Sequence, residues 1–371
     1  MHTGIELRPA SDHPTCGIGQ WITRSRGDAL AILAIGFLTI AFFWPMIRPW
    51  PPRLYMMEGD FSRQFYPFRF FEGREWWSGR IPLWNPDMFA GHPFQADVQT
   101  AVFYPLAFAD AVAFGRHGLP YAALEGEVVV HTFLAGLFTY MLARLFTRSR
   151  LGALVAGVAF AFGGFITSYP AEQLPLLETA VWLPVIVLFL ELAARRAIGW
   201  RWLVLASGAL GIAVLAGHSQ TLLFILYATE AYVIWRFWRA GARWTSVLAS
   251  AVIYPLGGAC LSAVQILPTL EFLGYSTRDQ MSYTEAAWGY LPSALWEVVV
   301  PLWHDEKALS IGVVALVLAA RGAWVSRHEP LAFWTIAGLL ALPLSLGGST
   351  PLFWILYHLA PGWNLFRDQE R

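Results

Sequence analysis

The segment Met57-Glu58-Gly59-Asp60, followed by Arg63 and Gln64, sets two carboxylates and a guanidinium within roughly two turns of helix. A carboxylate there can take the proton of a hydroxyl nucleophile, and a guanidinium fork can neutralise a departing phosphate. The plainer role for Asp60 is to cap a helix that begins near Phe61. Further along, Asp97 and Gln99 offer hydrogen bonds to a substrate or, equally, the internal polar contacts that a long loop needs. His92 follows Gly91 and reads as the close of a turn.

Other polar residues stand out because the sequence around them is apolar. His218 and Gln220 occupy a very short connection between two apolar runs, where they either line a cavity or cap a helix hairpin. Glu125, Glu127 and His131 fall near the start of one apolar run; Glu125 could reach a cavity or form an interfacial pair. Glu172 and Glu178 bracket another connection, and one of them could join a site. Arg278 and Arg367 are further cations able to hold a phosphate. Glu191 and Arg195, four apart, need no more than a helix ion pair, and Gln265 reads as a helix–helix hydrogen bond. The sequence contains no Cys/His cluster, no phosphate-cradling glycine loop and no nucleophile elbow. The metal question stays open, and a soluble nucleotide donor is not indicated.

The elements that must carry these residues are membrane helices. Of 371 residues 57% are apolar and only 13% charged, with a mean hydropathy of +0.49, whereas soluble domains run near a quarter charged. The formal net charge is zero, so the bulk balance suggests no nucleic-acid partner. The two cysteines, Cys16 in a polar terminus and Cys260 in an apolar stretch, fit neither a disulfide framework nor a metal site. Apolar runs recur at residues 29–47, 121–146, 151–169, 174–194, 202–216, 221–235, 247–267, 309–320 and 331–346, predicting about nine helical spans. A tenth run, 351–360, is short. The first exceeds a signal-peptide core and lacks a small-x-small cleavage site, so it is expected to stay as a membrane helix.

Arginines alternate between the connections. Arg8, Arg24 and Arg26 precede the first run, Arg144, Arg148 and Arg150 follow the second, and Arg195, Arg196 and Arg201 follow the fourth. Arg236, Arg239 and Arg243 follow the sixth, and Arg321 and Arg327 the eighth; residues 170–173 and 217–220 carry no basic residue. This parity predicts a cytoplasmic N-terminal segment, residues 1–28, ahead of a transmembrane domain over 29–371. The same parity makes 102–115, interrupted by Pro105 and Asp110, an interfacial or re-entrant helix inside a long external loop, 48–120. A second external loop is expected at 268–308. Trp76, Trp77 and Trp84 suit a loop lying at the headgroup level.

The motifs, in order, resemble the YfhO family of bacterial membrane proteins. Asp60, Gln64 and Pro67 match its Asp-x3-Gln-x2-Pro-like segment, followed by Gly79-x-x-Pro82-Leu83-Trp84-Asn85-Pro86 and Phe89-x-Gly91-x-Pro93-Phe94. Ala96-Asp97-x-Gln99, Tyr104-Pro105, Phe162-Gly163-Gly164, Trp182-Leu183-Pro184, Gly217-His218-Ser219-Gln220 and Gln265-x-Leu267-Pro268 continue the likeness. That family is similar to the GT-C glycosyltransferases. The resemblance therefore implies an all-α, GT-C-like polytopic bundle in the bacterial cytoplasmic (inner) membrane. Its implied activity is transfer of a sugar from a polyprenyl-phosphate carrier to an extracytoplasmic acceptor such as a cell-wall polymer. It also implies that Asp60, with Glu58 second, acts as base or holds a divalent metal. Arg63, Gln64, Asp97, Gln99, His218, Gln220, Arg278 and Arg367 are the substrate-binding candidates. Family members run on past the segment matching Phe366-Arg367, so the chain is expected to be an N-terminal portion. The rival readings are a transporter or flippase of lipid-linked glycans and a non-catalytic assembly partner.

Overall fold

The computed structural model describes residues 26–50, 56, 59–195, 198–276, 281–299, 310–325, 329–367 and 369. Among them the chain is helical and no strand forms. Helix α1 is Arg26–Phe42 and is followed by a short turn, Trp44–Ile47. A π-helical turn, Phe61–Phe65, leads into α2, Tyr66–Trp77; then come α3, Pro105–Phe114, and α4, Tyr121–Phe146. Helix α5 is Arg150–Ala161, and two short turns (Gly164–Thr167 and Tyr169–Glu172) precede α6, Leu174–Ala180, and α7, Leu183–Ala194. Then follow α8 (Trp200–Leu215), α9 (Ser219–Arg239), α10 (Trp244–Leu261), α11 (Ala263–Leu273), α12 (Val313–Val325), α13 (Glu329–Ser345) and α14 (Pro351–Leu359).

Among the described residues three stretches are long and apolar enough to cross a membrane: Tyr121–Phe146, Leu174–Ala194 and Trp244–Leu261. Several of the other apolar runs form shorter helices, broken where the backbone demands it. The run that begins at 151 breaks after Ala161, where a Cβ on Gly163 would sit 2.7 Å from the Ala159 carbonyl oxygen. The Leu174–Ala194 stretch forms the middle of the bundle, 78% of its apolar window being buried. Its side chains pack with those of α8 and α9, as in Ile186, Leu190, Leu210, Ile225 and Phe237. Helix α10 is the opposite case, presenting Leu248, Val252, Ile253 and Leu256 outward. A face of that kind suits hydrocarbon better than water.

The bundle has two chemically distinct ends. At one, Asp28 accepts hydrogen bonds from the Tyr140 hydroxyl at 2.6 Å, Arg144 at 2.9 Å and Arg150 at 3.4 Å. Beside it Glu191 accepts from Arg195 and Arg236, both at 2.7 Å, and from the Tyr232 hydroxyl at 2.7 Å. Arg195 also donates to the Leu145 carbonyl at 3.1 Å, next in sequence to Arg144 of the first network. Arg144, Arg150, Arg195 and Arg236, which come from three of the arginine clusters in the sequence, thus collect at one end. The opposite end, where α4, α6 and α9 begin, lies under residues 59–120.

That segment is a folded cap. Helix α3 has 10 residues, about 15 Å of helix against a hydrocarbon core of about 30 Å, so it is too short to cross. It lies beside α2, with the Trp76 ring edge-on to Phe108 at 4.9 Å. Trp76 is therefore interior to the cap, while Trp77 and Trp84 remain exposed. A second anchor uses proline chemistry. Pro268, inside α11, has no N–H, which leaves the carbonyl four residues earlier without its helical donor. The Gln95 amide supplies that bond to the Val264 oxygen (2.7 Å), while Gln265 and Thr269 donate back to the Gln95 and Ala96 carbonyls, both at 2.9 Å. The helix continues past Pro268 to Leu273.

Candidate functional site

Asp60 precedes the π-helical turn with helical φ and ψ of −62° and −29°, and its side chain makes no capping bond. The carboxylate accepts instead from the Gln173 amide, supplied from a different part of the chain. Asp60 itself is exposed, and so is Arg63 three residues on. A π-helical turn widens the helix locally and commonly marks a site of function. Glu172 reaches the same corner, its carboxylate 3.7 Å from where a Cβ on Gly59 would lie. Glu58, the second catalytic candidate, and Arg278 lie outside the described residues.

The remaining candidates are drawn into one layer over the bundle end, and most of their polar atoms are used in building it. Gln64 donates to Gln99 at 2.9 Å. Asp97 spends one oxygen on the Gln99 amide N–H (3.0 Å) and the other on the His92 ring (3.2 Å). His92 also closes a tight turn through paired backbone bonds with Asn85, both 2.9 Å. His218 caps α9, its Nδ1 accepting from the Thr221 N–H at 3.2 Å and the Thr221 hydroxyl at 2.8 Å. Gln220 donates to the Arg367 carbonyl at 2.8 Å, so Arg367 arrives here through its backbone. Gly217, at φ +95°, lets the cap approach closely: a Cβ there would sit 2.4 Å from the Val98 oxygen. Glu125 accepts from the Met56 N–H at 3.1 Å, tying the start of the cap to α4.

Sequence reasoning missed the most heavily charged part of this layer. Arg69, buried on α2, donates to both Glu178 oxygens and to Glu72, each at 3.1 Å, and to the Thr100 carbonyl at 2.8 Å. Glu127 lies 3.5 Å from the same guanidinium. Next to it the Tyr104 hydroxyl bonds His131 Nε2 at 2.7 Å and receives the Trp182 indole N–H at 3.2 Å. Burial pushes the Glu72 carboxyl up to about 8 against the pull of Arg69. Burial, with the Glu127 charge added, pushes Asp110 up to about 7. The signal is in the sequence: buried carboxylates at the ends of apolar runs need a cation, and Arg69 is the one the cap supplies.

Among the described residues no group of three or more His, Cys, Asp or Glu is arranged to hold a metal ion. Asp60 meets an amide, and the carboxylates deeper in the layer surround a guanidinium. An open cleft of about 430 Å³ lies elsewhere on the cap, lined by Phe71, Arg74, Glu75, Trp84, Pro86 and Asp87. It sits near the far end of α2 from Asp60. Comparison with family models, with curated proteins and with solved structures returns no match for this chain.

Proposed function

We propose that the chain is a polytopic membrane glycosyltransferase of the GT-C type, in the cytoplasmic membrane with its N-terminus inside. Its substrate would be a polyprenyl-phosphate-linked sugar and its acceptor an extracytoplasmic glycan or polymer. The observation that carries this reading is Asp60: an exposed carboxylate at a π-helical turn, unused as a cap and oriented by Gln173. The order of motifs shared with the YfhO family supports it, as do the apolar outer helix faces and the gathering of arginines at one end. In the proposed step the acceptor oxygen attacks the anomeric carbon as the carbon–oxygen bond to phosphate breaks. The acceptor proton passes to Asp60, the bonding electron pair stays on the phosphate, and Arg63 balances its charge. The direct test is reconstitution of the protein in vesicles with polyprenyl-phosphate sugars and soluble acceptors. No transfer by the wild type under those conditions, from any donor tried, would count against the reading.

Sidedness has its own test. In a background with Cys16 and Cys260 replaced by serine, single cysteines at Ser149 and Ser219 are expected to react with an impermeant maleimide from opposite sides, Ser219 from outside. Ser149 lies at the arginine-rich end, where it caps α5, and Ser219 opens α9 at the capped end. Labelling of both from one side would overturn the topology.

A further inference from the structure

The open cleft on the cap has features that the transfer step does not use. Its wall is the indole of Trp84, 57% exposed although one side of the ring is covered. That side is backed by Gly91, at φ +122°, where a Cβ would fall 2.4 Å from the indole Cζ2; only glycine leaves room for the ring. The turn behind it is held in a costly shape. Phe89 and Ala90 both take left-handed φ, +49° and +61°, closed by the Asn85–His92 pair and by Asp87 N–H donating to the Asn85 side chain at 2.9 Å. Strain of this kind persists only where the surrounding bonds enforce it, and here it presents one aromatic face to a cleft.

The polar lining narrows the occupant. Glu75 is neutralised by a two-pronged Arg80 pair, both contacts 2.8 Å. Arg74 and Asp87 are exposed on the rim with opposite charges. The cleft therefore carries no net charge, which does not favour a polyanion. It offers an aromatic platform, guanidinium donors and carboxylate acceptors, within the volume range of small-molecule sites. A pyranose ring matches all three, with an apolar C–H face for the indole and hydroxyls around its edge. We propose that this cleft binds a neutral pyranose unit of a glycan, stacked on Trp84 and held at its hydroxyls by Arg74 and Asp87. Arg74 lies fourteen positions beyond Asp60 along continuous helix, roughly 20 Å at 1.5 Å per residue. Naming that glycan as the acceptor rests on the glycosyl-transfer reading, and it makes the acceptor a chain several sugars long rather than a monosaccharide.

The test is ligand-detected NMR on the full chain in nanodiscs, titrated with cellotriose, maltotriose, chitotriose and, as an anionic polymer, polyglycerol phosphate. At least one neutral trisaccharide is expected to bind, with Trp84→Ala weakening it roughly tenfold, the scale of one lost aromatic contact. Asp87→Ala should also weaken it, which guards against a Trp84→Ala variant that fails to fold. The proposal is overturned if no trisaccharide binds, if both rim variants bind like wild type, or if polyglycerol phosphate binds more tightly than all three. Trisaccharide binding without any sugar transfer would count against the transfer reading alone. Transfer without trisaccharide binding would count against the cleft alone.

Discussion

Asp60→Asn is expected to leave the chain folded and inserted while lowering sugar transfer by roughly 10²- to 10⁴-fold, the range that a positioned base contributes. The substitution is well matched to its setting. The carboxamide oxygen it introduces can still accept from the Gln173 amide, so the tie to Gln173 survives, while the proton affinity of the carboxylate is lost. A capping role would give the opposite result, because Asn caps about as well as Asp, and the side chain makes no capping bond in any case. The measurement is initial transfer rate in vesicles beside thermal unfolding of the same preparation, with any C-terminal helices of a longer protein included. Wild-type transfer from Asp60→Asn would end the assignment. The role of base would then pass to Glu58, since both Asp97 oxygens are already engaged within the cap.

Much of the helical framework is legible in the sequence because lipid and apolar cores impose the same demand, a backbone that satisfies itself over an apolar run. Helices occur at the runs starting near residues 29, 121, 174 and 221. What is not legible depends on partners distant in sequence. Gln173 lies 113 residues from Asp60, and nothing in either local context pairs them. The Gln95–Val264 bond answers a proline in α11, so its logic appears only once the cap is laid against that helix. His218 reads from sequence as either a cavity residue or a cap, and its bonds to Thr221 show that it caps α9. Arg69 and Glu72, three apart in a helix with several charges, look like an ordinary surface pair. Their burial follows from Gly73, which lets α2 lie against Gly115 and Leu119, where a Cβ would come within 3.2 Å of both.

Removing the charge on Arg69 should cost more stability than any other single change in the cap. Arg69→Met keeps much of the side-chain volume but leaves Glu72, Glu178 and Glu127 buried without their cation. Breaking a buried ion pair from one side costs about 3 to 5 kcal/mol, a large share of the roughly 5 to 15 kcal/mol that holds a folded domain. A lower unfolding temperature in detergent is the expected readout. Adding Glu178→Gln to Arg69→Met should recover part of the loss, because one orphaned charge is then removed; recovery is not expected if the arginine acts by packing alone. The pH dependence follows from the carboxyls that sit above their ordinary values, Glu72 at about 8 against 4.5 and Asp110 at about 7 against 3.8. Both bind protons in the folded state that the unfolded chain has already released. Their contribution is therefore fully present below about pH 4 and lost as pH rises through about 8, so the wild type should unfold more easily at pH 8 than at pH 6. In Arg69→Met the carboxyls lose the charge that favoured ionisation, so they hold their protons harder and the deficit should narrow toward acid pH. A deficit that stays constant from pH 5 to pH 8 would show that Arg69 acts as a spacer, and its charge would then have no part in holding the cap to the bundle.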